Sequence, residues 1–254
     1  MPSHREPIFN VPGVVVALIA SFVAVQLVRD FFLVDDNQTE ELIQLFAFIP
    51  ARYDDSLLLP PLGGYGAGIW TFVTYAFIHG GWTHLIVNSI WFLPFGSAVA
   101  RRFGTARFLA FFAVTAAAGA LAHLVTHVGE RSAMIGASAA ISGTMAGAMR
   151  FAFQRGGPLG FWREQSEAAY RVPALPLSGV LRDPRVVIFL VVWLGINVLF
   201  GATTLSFGTG NEPVAWQAHI GGFVAGLLLF SLFDPPARSA GGGGSSDPSV
   251  APHD

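Results

Sequence analysis

Six long apolar segments constrain this chain more than any other feature of its sequence. They cover residues 11–28, 83–99, 108–128, 135–153, 186–203 and 215–233 of the 254. A helix that crosses a bilayer needs about 20 mostly apolar residues, and each segment comes close to that length. Charged residues make up only 12% of the chain, about half of the roughly 25% that is typical of soluble domains. The sequence therefore predicts an all-α polytopic membrane protein with six transmembrane helices.

The segments between and beyond these spans divide the chain into regions. We expect residues 1–10 to form a short N-terminal region and residues 11–233 to form one six-helix domain. Within that domain, residues 34–81 mix acids, prolines and apolar clusters, which predicts a long loop lying on or in the membrane interface. Residues 234–254 are rich in Pro, Gly and Ser, a composition that predicts a disordered tail.

The distribution of arginine predicts the orientation of the spans. All 14 basic residues are arginine, and basic residues are enriched in the cytoplasmic loops of membrane proteins. If the N-terminus is cytoplasmic, eleven arginines lie inside and only Arg29, Arg52 and Arg131 lie outside. This bias predicts that both termini are cytoplasmic and that the second, fourth and sixth spans begin at the outer face.

That orientation brings polar residues from three spans to one depth. His84 and Asn88 lie near the start of span two, Ser138 near the start of span four and His219 near the start of span six. At about 1.5 Å rise per residue, each lies within roughly 10 Å of its helix start. The four side chains therefore share a shallow layer near the outer face.

Ser138 lies in the stretch GASAAISG. A serine in a transmembrane helix most often bonds back to a carbonyl one turn earlier, and we expect Ser142 to do so. Gly136, however, allows a tight turn and a close approach just before Ser138. Ser138 is therefore a candidate nucleophile as well as a candidate packing residue.

His219 lies in WQAHIGGFVAG, and an ionisable residue inside a span is a functional candidate by default. Gly222 and Gly226 follow on its helical face and allow another helix to come close. That helix could be span four with Ser138. A neutral histidine is the usual base for a serine nucleophile. Because no carboxylate lies at this depth, the arrangement would be a Ser–His dyad, with the imidazole oriented by packing.

His84 and Asn88 are spaced i, i+4 in HGGWTHLIVN and point from one helical face. They could donate hydrogen bonds to an oxyanion, or they could join helices as polar contacts.

Three motifs, GASAAISG, AHIGG-x-x-x-G and H-x-x-x-x-H-x-x-x-N, resemble those of the rhomboid family of intramembrane serine proteases, of the bacterial six-span type. The resemblance implies a rhomboid-like bundle in the plasma membrane of a prokaryote, with its active site open to the outer side. It implies that Ser138 is the nucleophile and His219 the general base. Asn88, His84 and the backbone N–H of Ser138 would form the oxyanion hole. The implied partners are single-span membrane protein substrates and the lipid bilayer, with no nucleic acid, metal or other cofactor.

Three positions depart from the family pattern. Ala139 stands where a glycine is usual, Trp70 is followed by Thr71 rather than arginine, and Ser142 replaces an aromatic residue one turn after the serine.

Two other functions remain open from the sequence. Intramembrane histidines also line channels and transporters, and His123 with His127 favour that class. An inactive relative that binds membrane clients would carry the same motifs. Metalloprotease chemistry is disfavoured because the chain has no H-E-x-x-H, and the absence of cysteine excludes thiolate chemistry.

Overall fold

The computed structural model describes residues 11–33, 35–54, 56, 62–159, 166–202 and 214–235. The helices in these ranges are α1 (Gly13–Phe31), α2 (Asp36–Phe46), α3 (Gly64–Thr74), α4 (Trp82–Phe103), α5 (Thr105–Thr126), α6 (Ser138–Met149), α7 (Leu177–Val180), α8 (Pro184–Ala202) and α9 (Trp216–Phe233). Short 3-10 turns occur at Pro50–Tyr53, Tyr75–Phe77 and Glu167–Arg171. The prediction of an all-α chain is confirmed for this part of the protein.

Four of these helices, α1, α4, α5 and α9, are long and apolar enough to cross a membrane. Helix α8 is also apolar, over Pro184–Leu199. Helix α6 has 12 residues, which corresponds to about 18 Å at 1.5 Å per residue, although the sequence predicted a span over 135–153. Residue 203, the N-terminal region 1–10 and all of the predicted tail beyond residue 235 lie outside the described residues.

Helix α6 lies at the centre of the fold, and every residue from Ala139 to Met149 is buried. Its sequence, SAAISGTMAGAM, consists mostly of residues with small side chains, so neighbouring helices can approach its backbone closely. Gly222 of α9 lies against the carbonyl of Ala139, and Gly226 lies against the carbonyl of Gly143. No side chain separates α6 and α9 at these two contacts.

The other ends of these helices are joined by arginines. Arg102, at the end of α4, forms a two-point ion pair with Asp234 at the end of α9, with distances of 2.6 and 2.9 Å. Arg150, directly after α6, donates to the carbonyls of Leu175 and Leu227 at 2.7 and 3.1 Å. These bonds hold the ends of α4, α6 and α9 together.

Residues 34–81, the predicted long loop on or in the membrane interface, contain the helices α2 and α3. Arg52 joins the two helices: its guanidinium donates to the carbonyl of Gln44 at the end of α2 and to Thr71 Oγ1 of α3, the latter at 3.2 Å. Trp70 Nε1 donates to the carbonyl of Leu45 at 2.7 Å. These side-chain hydrogen bonds join residues that are apart in the sequence. They order a segment whose local composition predicts a loop.

The outer surface of the fold is apolar where helices lack a protein neighbour. Helix α8 carries a nearly continuous set of exposed aliphatic side chains, namely Val187, Ile188, Val191, Val192, Leu194, Ile196, Val198 and Leu199. Such a surface is stable in lipid and costly in water. It agrees with a multi-pass membrane protein.

We expect Gly226→Ala to destabilise the protein by about 1–3 kcal/mol, the usual cost of overpacking. The added methyl group would overlap the carbonyl oxygen of Gly143, and backbone cannot move aside as a flexible side chain would. Thermal unfolding of the purified protein in detergent measures the change. Gly195→Ala in α8 is the matched control, since a methyl group there meets nothing within 4 Å. Equal melting temperatures for the two variants would contradict this account of the α6–α9 contact.

Candidate active site

Ser138 and His219 lie within hydrogen-bond distance of each other. Ser138 is the first residue of α6 and His219 is in the first turn of α9. His219 Nε2 is 2.7 Å from Ser138 Oγ. The two residues are 81 positions apart in the sequence, and the close contact between α6 and α9 brings them together.

The chain before Ser138 is held by backbone bonds to the first long connection. Phe48 and Met134 pair as an isolated antiparallel bridge, with N–H to carbonyl distances of 3.1 and 2.8 Å. Two residues later, the Gly136 N–H donates to the carbonyl of Tyr75 at 3.0 Å. Gly136 has φ +110°, a conformation that L side chains rarely adopt. This glycine therefore permits the turn that leads into α6 at Ser138.

The residues beside Ser138 have structural contacts. Ser142 Oγ donates to the Ser138 carbonyl at 2.8 Å, so the prediction that Ser142 bonds back along its helix is confirmed. Ala139 is buried, and its methyl group faces Gly119 of α5, where an added Cβ would lie only 2.5 Å away. The glycine at 119 thus leaves room for the alanine at 139.

His84 and Asn88 line the same cavity as Ser138 and His219, a space of about 240 Å³. The Gly80 N–H donates to His84 Nδ1 at 3.3 Å, which leaves the proton of a neutral ring on Nε2. An added Cβ at Gly136 would lie 2.8 Å from that Nε2 atom, so the nitrogen faces the turn before Ser138. Asn88 Nδ2 donates one hydrogen to the His84 carbonyl at 3.1 Å and keeps a second one.

His79, the first histidine of the H-x-x-x-x-H-x-x-x-N motif, lies behind His84. Its ring is buried, and the two ring centroids are 5.2 Å apart. Burial, and after it the neighbouring His84, lower the pKa of His79 to about 3. Because the pKa is so low, His79 stays neutral at physiological pH and supports the His84 ring without adding charge.

Asn197 of α8 is a site residue that the sequence reasoning missed. Its Oδ1 is 2.5 Å from His219 Nδ1, and its Nδ2 donates to the Trp193 carbonyl at 2.8 Å. The residue is buried and lines the cavity. The sequence does contain a signal for this residue, because Asn197 is the one amide in the otherwise apolar run VVIFLVVWLGINVL. Polar side chains inside spans usually have a specific partner.

His123 and His127, which favoured a channel, lie elsewhere. They stack with ring centroids 4.0 Å apart at the end of α5, and neither lines the cavity. Among the described residues, no group of three or more His, Cys, Asp or Glu side chains could hold a metal ion.

Comparison with known proteins gives the family. The model of the rhomboid domain matches residues 66–234, a range that includes the serine, both histidines of the cavity and the two asparagines. The chain is also 32% identical over 108 residues to YdcA of Bacillus subtilis (strain 168), which is named for the same family. That match covers 38% of this chain and 54% of YdcA, so the chain spans about half the length of this curated relative. The protein belongs to the rhomboid family.

Proposed function

We propose that this protein is an intramembrane serine endopeptidase in which Ser138 is the nucleophile and His219 the general base. The observation that carries the proposal is the 2.7 Å contact between His219 Nε2 and Ser138 Oγ, inside a cavity that His84 and Asn88 also line. A serine hydroxyl is a poor nucleophile unless a neighbouring base takes its proton. Membership of a family of membrane proteases supports the assignment.

The geometry supports acyl transfer in two steps. In the first, Ser138 Oγ attacks the scissile carbonyl carbon while His219 Nε2 takes the hydroxyl proton. The tetrahedral intermediate then expels the amine, which receives that proton from His219, and an acyl-enzyme remains. In the second step His219 takes a proton from water, the resulting hydroxide attacks the ester, and Ser138 recovers its proton as the new carboxyl end departs.

The oxyanion of each intermediate needs hydrogen-bond donors that are already in place. The second amide hydrogen of Asn88, the Nε2–H of His84 and the backbone N–H of Ser138 are the donors we assign to it. Removing one such donor from a serine protease typically lowers kcat by about 10²–10³. Because none of these groups has to carry a charge, the site can act in surroundings that contain little water.

The substrates we propose are single-span membrane proteins. A peptide bond within a spanning helix is protected by its own hydrogen bonds and by lipid, so the substrate must unwind locally before attack. Segments with helix-weakening residues near the outer membrane surface meet that requirement. The cavity has polar residues at the Ser138 end and apolar ones such as Trp91, Met145 and Trp193 around them, which suits a partly apolar extended segment.

For the membrane arrangement we propose six spans in the plasma membrane of a prokaryote, with both termini cytoplasmic and the cavity open to the outer side. Eleven of the 14 arginines lie on the inner side in this arrangement. Helices α6 and α8 would complete the six spans beside the four long apolar helices. The shortness of α6 leaves its Ser138 end below the outer surface.

Ser138→Ala is expected to abolish cleavage of a model single-span substrate in proteoliposomes, since no other hydroxyl of the cavity contacts His219 within the described residues. Cleavage is measured from the product fragments on a gel. Ser21→Ala is the matched control because Ser21 also lies in a proposed spanning helix, where its hydroxyl donates to the Leu18 carbonyl at 2.6 Å. Wild-type activity in a folded Ser138→Ala protein would rule out this nucleophile.

Gly136→Ala is expected to lower kcat at least tenfold. An added Cβ would lie 2.7 Å from the His84 ring and would push that donor out of place, and small displacements of catalytic groups have large effects. Gly104→Ala is the control: Gly104 also has a positive φ of +77°, but its added Cβ meets nothing within 4 Å. Both variants carry backbone strain, so equal activities would contradict the role given to His84.

The orientation can be read from single cysteines because the chain has none of its own. Ser132→Cys lies in the connection before α6, and Ser166→Cys lies in the connection after it; both positions are exposed, and neither change alters the arginine count. A membrane-impermeant maleimide added to intact cells should label only the cysteine at 132. Labelling of 166 alone would reverse the proposed orientation.

A further inference from the structure

We propose that Asn197 is a positioning residue that fixes the tautomer and the orientation of His219. The inference rests on the proposed function of Ser138 and His219, and it replaces the expectation that packing alone orients the imidazole. Three contacts in a row carry it: the Trp193 carbonyl to Asn197, Asn197 to His219, and His219 to Ser138.

The Trp193 carbonyl sets the orientation of the amide. A carbonyl oxygen can only accept hydrogen bonds, so the Asn197 atom 2.8 Å from it must be the Nδ2 donor. The other end of the amide, Oδ1, then faces His219 Nδ1 at 2.5 Å. The amide cannot rotate by 180° without bringing two acceptor oxygens together at Trp193.

The orientation of the amide in turn sets the proton on His219. Because Asn197 Oδ1 is an acceptor, His219 Nδ1 must carry a hydrogen and donate it. In a neutral ring the hydrogen is then absent from Nε2, whose lone pair faces Ser138 Oγ at 2.7 Å. This is the tautomer that a general base for Ser138 requires. The opposite tautomer would place an N–H against the hydroxyl, where it could not accept a proton.

An amide suits this place better than a carboxylate. Asn197 is buried, with 6% of its surface exposed, and the cavity is lined by no Asp or Glu among the described residues. A carboxylate there would be an unpaired buried charge, which is costly. The amide is neutral, and both of its ends have partners. It therefore orients the ring in each catalytic state without a desolvated charge in the resting enzyme.

Kinetics on purified full-length protein in proteoliposomes give the first test. Asn197→Leu keeps the size but removes the acceptor, and kcat is expected to fall about tenfold or more while KM changes less than about twofold, the pattern of a lost transition-state contribution. In Asn197→Asp the buried carboxyl group is expected to be protonated, so that its hydroxyl donates to the Trp193 carbonyl while its other oxygen accepts from His219 Nδ1. This variant is expected to recover most of the lost kcat. Val198→Ala, at the next and exposed position, should match the wild type.

The ring nitrogens give a second test that a purely structural role would not affect. Nitrogen-15 NMR of histidine-labelled protein in detergent distinguishes the two tautomers, and His219→Gln identifies the signals of His219. The wild type should show a protonated Nδ1 and an unprotonated Nε2, and Asn197→Leu should lose this single-tautomer state. The wild-type spectrum carries the test even if Asn197→Leu fails to fold.

The outcomes separate this inference from the proposed function. Full kcat in folded Asn197→Leu, equal losses in the Leu and Asp variants, or a wild-type His219 protonated at Nε2 would each overturn the role of Asn197. An inactive wild type with the Nδ1–H tautomer would instead overturn the protease proposal and leave the positioning contact standing.

Discussion

The contact between α6 and α9 is the constraint on which the rest of the site depends. At Gly222 and Gly226 the α9 backbone lies directly against carbonyl groups of α6, with no side chain between them. Only this approach lets His219, at the start of one helix, reach Ser138, at the start of the other. Because packed interiors do not deform freely, the separation of the two helices fixes the separation of the hydroxyl and the imidazole.

Hydrogen bonds at the two ends of the bundle hold this contact in register. At one end, the Phe48–Met134 bridge and the Gly136–Tyr75 bond tie the first long connection to the turn before α6, so that connection supports the serine. At the other end, Arg102 and Arg150 join the ends of α4, α6 and α9. The Arg102–Asp234 ion pair lies at the end away from Ser138, whereas no Asp, Glu or Arg of the described residues lines the cavity.

Hydropathy, glycine spacing and arginine bias predicted an all-helical membrane protein with Ser138, His219, His84 and Asn88 at one depth. In the structure these four residues line one cavity. Hydropathy and glycine spacing are patterns within one segment, and the arginine bias compares the loops at the two ends of each span. The helices within 34–81, the length of α6 and the role of Asn197 depend instead on partners distant in sequence. Arg52 orders α2 and α3 through bonds to both. In the sequence Asn197 is an isolated polar residue in an apolar segment. Its partner, His219, is known only once α8 is seen to pack beside α9.

An activated serine at residue 138 is tested most directly by the location of a covalent adduct. The wild-type protein in lipid is treated with a fluorophosphonate, and the modified residue is identified by mass spectrometry of its peptides. One adduct is expected, on Ser138. Its formation should slow when a single-span substrate is present and should be lost in His219→Ala. An adduct on another residue such as Ser142, or undiminished labelling without His219, would contradict the assignment of Ser138.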